Sequence, residues 1–162
     1  MKSLHLLIGL TCALILGALS PLPLQRARAA AGPALVVVIG TATGIKDIST
    51  AILRRAFMGY PTEVAGKRLI PINHPTGTPN RVLFDRVMLG LSPEEVGRFW
   101  VDRRIRDESP PPKTVPSPDL AVRVAASLPF AITYITPDLV NDKVAVLTID
   151  GKSPRDGSYL LR

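Results

Sequence analysis

The chain predicts an α/β fold, a small sheet flanked by helices. Three observations predict it. Short apolar runs without a polar break, such as 34–39, read as strands covered on both faces. Segments with helical spacing alternate with these runs. Those segments open at hydroxyl-plus-proline signals and close at glycine or before proline.

The elements follow in order. Residues 34–39 form the first strand, ending at Gly40. The spacing of Ile48, Ile52 and Ala56, repeated by Leu53 and Phe57, predicts a helix over 48–57, with Gly59 as a left-handed stop and Pro61 blocking continuation. Residues 68–73 form a second strand. A helix over 78–89 places Phe84, Val87 or Met88, and Leu91 on one side. Ser92-Pro93-Glu94-Glu95 is a capping box with proline at the first position, opening a helix that carries Phe99 and Trp100 and frays near Ile105. Residues 109–116 are proline-rich, hence extended and exposed. Ser117-Pro118-Asp119 opens a further helix that ends before Pro129. Residues 131–135 and 143–149 are strands. The short polar turn between them admits an antiparallel pairing, and Asp150-Gly151 is a turn signal.

The beginning of the chain is not read as fold. Lys2, the apolar run 6–19, and Ala27-Arg28-Ala29 have the order of a secretory signal peptide, giving a signal over 1–29 and one domain over 30–162. The apolar run is too short for a membrane span, so the membrane enters only during export, to the periplasm or beyond. Cys12 lies inside that run as a packing residue, and the rest has no cysteine. A domain without disulfides is held by its core. Taking Lys2, Arg26 and Arg28 from the 20 basic residues leaves 17 against 13 acidic ones, a net charge of +4. That suits a small anion or a mildly acidic partner. Few aromatics argue against a base-stacking surface, and no nucleic acid is expected.

The candidate site is Pro75-Thr76-Gly77-Thr78-Pro79-Asn80-Arg81, read as strand, glycine turn and capped helix start. Thr78 is expected to cap through its side-chain oxygen, with Pro79 at the first helical position. Gly77 permits close approach. Free amides at the helix start, with the dipole, favour an anion, and Arg81 supplies charge. The plainer reading is a capped helix with a solvated arginine. No catalytic constellation emerges, and neither a metal nor a cofactor is expected. His74 sits before a proline with no nucleophile elbow nearby, so a structural or rim role outweighs that of a base. Glu94 and Glu95 serve the helix start. Arg103, Arg104 and Arg106 read as a solvated face at a helix end. Phe99 and Trp100 read as core, with one partly exposed.

Several stretches, in order, resemble the phosphate-binding proteins of ABC transporters, above all their short single-lobe relatives. Residues 52–59 are similar to a helix closing on Phe-x-Gly. Residues 69–73 and Thr76-Gly77-Thr78 resemble the strand entering a Ser-Gly-Thr anion loop, with Arg81 and Phe84 matching the following Arg-x-x-Phe. Trp100, the prolines 110–112, Val124-Ala125, residues 129–135, the strand and turn at 144–151, and Tyr159-Leu160-Leu161-Arg162 continue the match. The resemblance implies one lobe of a type II periplasmic binding protein. It also implies a non-enzymatic domain in which Thr76, Gly77 and Thr78 donate to phosphate or a similar oxyanion, linked to an ABC-type transporter.

The chain departs from that pattern in places. Ile72 or Asn73 stands where the full-length family has an arginine, removing a bidentate clamp. Pro79 lacks an amide donor. Phe130 and Thr133 replace glycines. The length leaves no room for a first lobe, and a half-cleft open to water binds small anions weakly. The rival expectation is an envelope protein–protein interaction module that has lost its ligand.

Overall fold

The computed structural model describes residues 34–106 and 108–161. The signal peptide expected over 1–29 lies outside the described residues. Strand β1 is Val36–Gly40, followed by β2 at Asp47–Ile48 and helix α1 at Thr50–Phe57. Strands β3 at Glu63–Val64 and β4 at Lys67–Arg68 form a small antiparallel hairpin. Next come β5 at Ile70–Asn73, α2 at Pro79–Phe84, a π turn at Asp85–Leu89, and α3 at Pro93–Ile105. The chain closes with β6 at Lys113–Thr114, α4 at Pro118–Ser127, β7 at Ala131–Ile135, β8 at Val144–Val146 and β9 at Thr148–Ile149.

The main sheet has five strands in the order β6-β5-β7-β1-β8. β5 runs parallel to β6 and β7, while β1 is antiparallel to both β7 and β8. The pairing admitted between 131–135 and 143–149 does not occur. β1 lies between them, because it is apolar on both faces and fills the fully covered position of the sheet. Leu35, Val37 and Ile39 point into one cluster, with Leu53 and Phe57 of α1, and with Phe84 and Met88. Val36 and Val38 point into the other, against Val122 and Ala125 of α4. This is period-two alternation with helices on both sides. At the strand's end, a Cβ on Gly40 would lie 2.6 Å from the Ala125 carbonyl oxygen. Only glycine lets α4 approach this closely.

Four boundaries move from the sequence expectation. The strand expected over 68–73 divides at Leu69: Arg68 pairs with Glu63 in the hairpin and β5 starts at Ile70. Ile48 is in β2, beside Ile149, because the Ser49 hydroxyl accepts the Ile52 amide and sets the helix start at Thr50. The helix over 78–89 is α-helical for six residues and then widens into the π turn, which buries Asp85, Met88 and Leu89 and stops at left-handed Gly90. The strand over 143–149 divides at Leu147, whose amide reaches back to the Val37 carbonyl. The proline-rich segment is extended, and it also adds β6 to the sheet edge. The caps at Ser92 and Ser117 form as expected, the first as a complete capping box. Phe130, where the related pattern has glycine, keeps a left-handed φ of 63°. The tight turn into β7 thus survives the substitution, with backbone strain at a bulky residue.

Candidate functional site

β5 ends at Asn73 and delivers the chain into the turn that carries the candidate residues. Gly77 has φ 84° with open space where a Cβ would stand, so backbone and not crowding requires glycine there. Thr78 occupies the cap position, but its hydroxyl does not cap α2. It donates to the Pro75 carbonyl at 2.8 Å and ties the turn to itself. The expected helix-start contribution is small for a second reason: α2 is only six residues long before the π turn.

Arg81 is not the solvated arginine of the plainer reading. It is 5% exposed. Its Nε donates to Asp85 Oδ2 at 2.5 Å and its Nη1 to the His74 carbonyl at 3.3 Å. The i,i+4 spacing of Arg81 and Asp85 is the sequence signal for this pair. Asp85 therefore offsets much of the charge expected from Arg81. Burial pushes the Asp85 carboxyl above its ordinary range, and the neighbouring guanidinium opposes that shift.

Beneath the turn lies a buried polar network. His74 is 1% exposed, and its Nε2 donates to the Tyr134 carbonyl at 2.6 Å, which fixes the proton on that nitrogen. The Tyr134 hydroxyl donates to Asn73 Oδ1 at 2.5 Å, and its ring stacks on Phe84. Burial pushes the His74 imidazole below its ordinary 6.5; the Tyr134 carbonyl opposes this and Arg81 adds to it. Burial likewise raises the Tyr134 phenol. His74 is thus a structural histidine of the core, not a rim residue.

The four candidate residues do not share one cavity. Thr76 and Arg81 line a cavity of about 280 Å³ with Val96, Trp100 and Arg104 of α3, and with Thr114 of β6. Thr78 lines a separate hollow of about 160 Å³ with His74, Asn80 and Pro116. Arg104, read from sequence as part of a solvated face, is exposed and also lines the larger cavity. Its neighbour Arg103 departs further from that reading. It is 3% exposed, lies 4.5 Å from the Tyr60 ring centre with Phe99 and Trp100 alongside, and pairs with Glu108 at 3.0 Å. Phe99 and Trp100 are half-buried and stand outside the apolar clusters, because they cover Arg103 instead. Among the described residues, no group of His, Cys, Asp and Glu is arranged to hold a metal ion, and no helix is long and apolar enough to cross a membrane.

No protein-family model matches the chain, and no curated protein matches it. Solved structures do. An ABC-type phosphate transport receptor from Vibrio cholerae superposes with a TM-score of 0.60 at 16% identity, covering 77% of this chain and 49% of its own. PstS from Borrelia burgdorferi gives 0.60 at 15% identity, covering 80% and 54%. A putative phosphate ABC transporter substrate-binding protein with bound phosphate, from Clostridium perfringens, gives 0.59 at 14% identity, covering 77% and 48%. The fold is therefore that of phosphate substrate-binding proteins, and the chain spans about half the length of the solved structures it matches.

Proposed function

We propose that this chain is an exported, non-enzymatic binding-protein-like domain that takes phosphate or a similar oxyanion at the Thr76–Arg81 turn, linked to an ABC-type transport system. The observation that carries this reading is the fold shared with phosphate-binding structures, in which Thr76 and Arg81 here line one cavity. The Thr76 hydroxyl, the backbone around Gly77 and the outer N–H groups of Arg81 are the donors. Thr78 contributes by holding the turn. Asp85 neutralises part of the cationic field and water screens the rest, so affinity is on the order of millimolar, about 4 kcal/mol. Phosphorus NMR of phosphate against added protein measures binding of this strength. Thr76→Val, which keeps shape and removes the hydroxyl, should reduce the line broadening, and sulfate should compete. Equal broadening with the variant, or none with the wild type, rejects the turn as an anion site.

A second reading is favoured by one observation. Val101 and Ile105, 56% and 77% exposed, stand one turn apart on α3. Such a strip beside the cavity suits an envelope interaction module that presents this surface to another protein. The export part of the proposal predicts a processed N-terminus close after Ala29 and a domain over 30–162. Mass spectrometry of protein from the periplasmic fraction that retained Met1 would count against it.

A further inference from the structure

Arg81 is nine-tenths buried and two of its five N–H groups are engaged, at Nε and Nη1. Nη2 has no hydrogen-bond partner among the described residues, while the side chain lines the 280 Å³ cavity. Asp85 and the His74 carbonyl hold the guanidinium plane fixed, so its free edge is pre-oriented rather than adaptable. Arg104, on α3, lines the same cavity. It is exposed, and no carboxylate among the described residues pairs with it. Among the described residues, the cavity thus has one neutralised, rigid donor and one arginine without a carboxylate partner in its lining. Beside Thr76 and Thr114, most of its remaining surface is different in kind: Val96, Trp100, Val101 and Pro111 supply apolar wall. A bare tetrahedral oxyanion has no use for that wall, and the cavity has several times the roughly 30 Å³ share of a water molecule.

The geometry points to a phosphate monoester carrying a flat apolar group as the ligand of this cavity, its oxyanion between Arg81 and Arg104 and its apolar group against Trp100. This rests on the oxyanion reading above and specifies the ligand class at the same turn. Arg104 is then the residue that supplies net charge, and Trp100 the one that separates monoesters from inorganic phosphate.

Trp100 is the chain's single tryptophan and lines both this cavity and a neighbouring hollow with Glu108 and Pro110, so its emission reports a ligand at either. Purified protein is titrated with phenyl phosphate, glycerol phosphate, inorganic phosphate and phenol, with phosphorus NMR in parallel for the three phosphates. Phenyl phosphate should perturb the emission and bind at least tenfold more tightly than either of the other phosphates. Phenol alone should bind at least tenfold more weakly than phenyl phosphate. Arg104→Gln, at an exposed position, should weaken phenyl phosphate at least fivefold with an unchanged melting curve. If inorganic phosphate binds as tightly as phenyl phosphate, the monoester class is overturned and the oxyanion reading stands. If phenol matches phenyl phosphate, the cavity is an apolar site and the assignment is overturned. If nothing binds, both readings fall. The ligand series in the unmodified protein decides among these without any variant.

Discussion

The two walls of the larger cavity are built on opposite principles. The turn wall is anchored in the core. Asn73, His74, Arg81 and Asp85 are all buried, and Tyr134 of β7 ties them to the centre of the sheet. The α3 wall is anchored at few points. Val96 and Arg103 are its buried residues, and most of its other side chains, Arg104, Val101 and Ile105 among them, face solvent. One arginine on each wall is buried, but in different company. Arg81 is matched to a carboxylate that is itself buried, whereas Arg103 lies under aromatic rings and pairs with an exposed glutamate. The contrast teaches that burial of an arginine does not fix its worth. What matters is whether removing it strands a second buried charge.

The largest expected effect tests that statement directly. Arg81→Ala should destabilise the domain by about 3–5 kcal/mol, since it leaves the Asp85 carboxyl buried and unpaired. The pair Arg81→Met with Asp85→Leu should recover most of that loss. Urea melts of the two variants measure both, and equal losses would show that shape and not charge pairing matters at the turn. On the other wall, Arg103→Met should cost about 1–2 kcal/mol, because the cation–π contacts and one exposed partner are lost but nothing buried is stranded. A loss equal to that of Arg81→Ala would erase the distinction between the walls.

The pH dependence of stability sharpens the comparison, since the turn wall holds the one histidine of residues 34–161. Burial lowers the folded-state pKa of His74 below 6.5, so the unfolded chain binds more protons on acidification. Stability from this group is complete above 6.5 and falls below it, by at most about 1.4 kcal/mol per pH unit, until the folded-state value is reached. Asp85, with a raised value, acts in the opposite sense at lower pH: its protonation favours the folded form. His74→Gln should flatten the melt midpoint between neutral and mildly acidic pH, and an unchanged slope would assign the acid sensitivity elsewhere. The smallest expected effect separates the walls from the scaffold. Ser92→Ala and Ser117→Ala should each cost about 1 kcal/mol through loss of a helix cap, with the capping box making Ser92 the more costly of the two. Denaturant midpoints give both values.

Much of the fold was legible because its signals are local. Ser92-Pro93-Glu94-Glu95 contains its own partners, so the capping box follows from four residues. The apolar run 34–39 could be read as doubly covered before any neighbour was known. The candidate site was legible in part. Thr76 and Arg81 do line one cavity, while Thr78 turns its hydroxyl inward and lines another. That Arg104 lines this cavity was hidden, because it depends on α3 packing beside the turn, a relation between residues far apart in sequence. Asp85 was in view at four residues from Arg81, but the same spacing describes a weak surface pair as readily as a buried one.

The sequence by itself determined the helix starts at Ser92 and Ser117, the doubly apolar first strand and the glycine turn at 77. These depend on side-chain chemistry within a few residues, where hydroxyl caps, proline and glycine restrict the backbone directly. Only the tertiary structure decided that β1 lies between β7 and β8, that Arg81 and Arg103 are buried, and that Arg104 lines the same cavity as Thr76. Strand order and burial are set by which apolar faces meet at long range, and the charge available to a ligand is set by which carboxylate each arginine finds when they do.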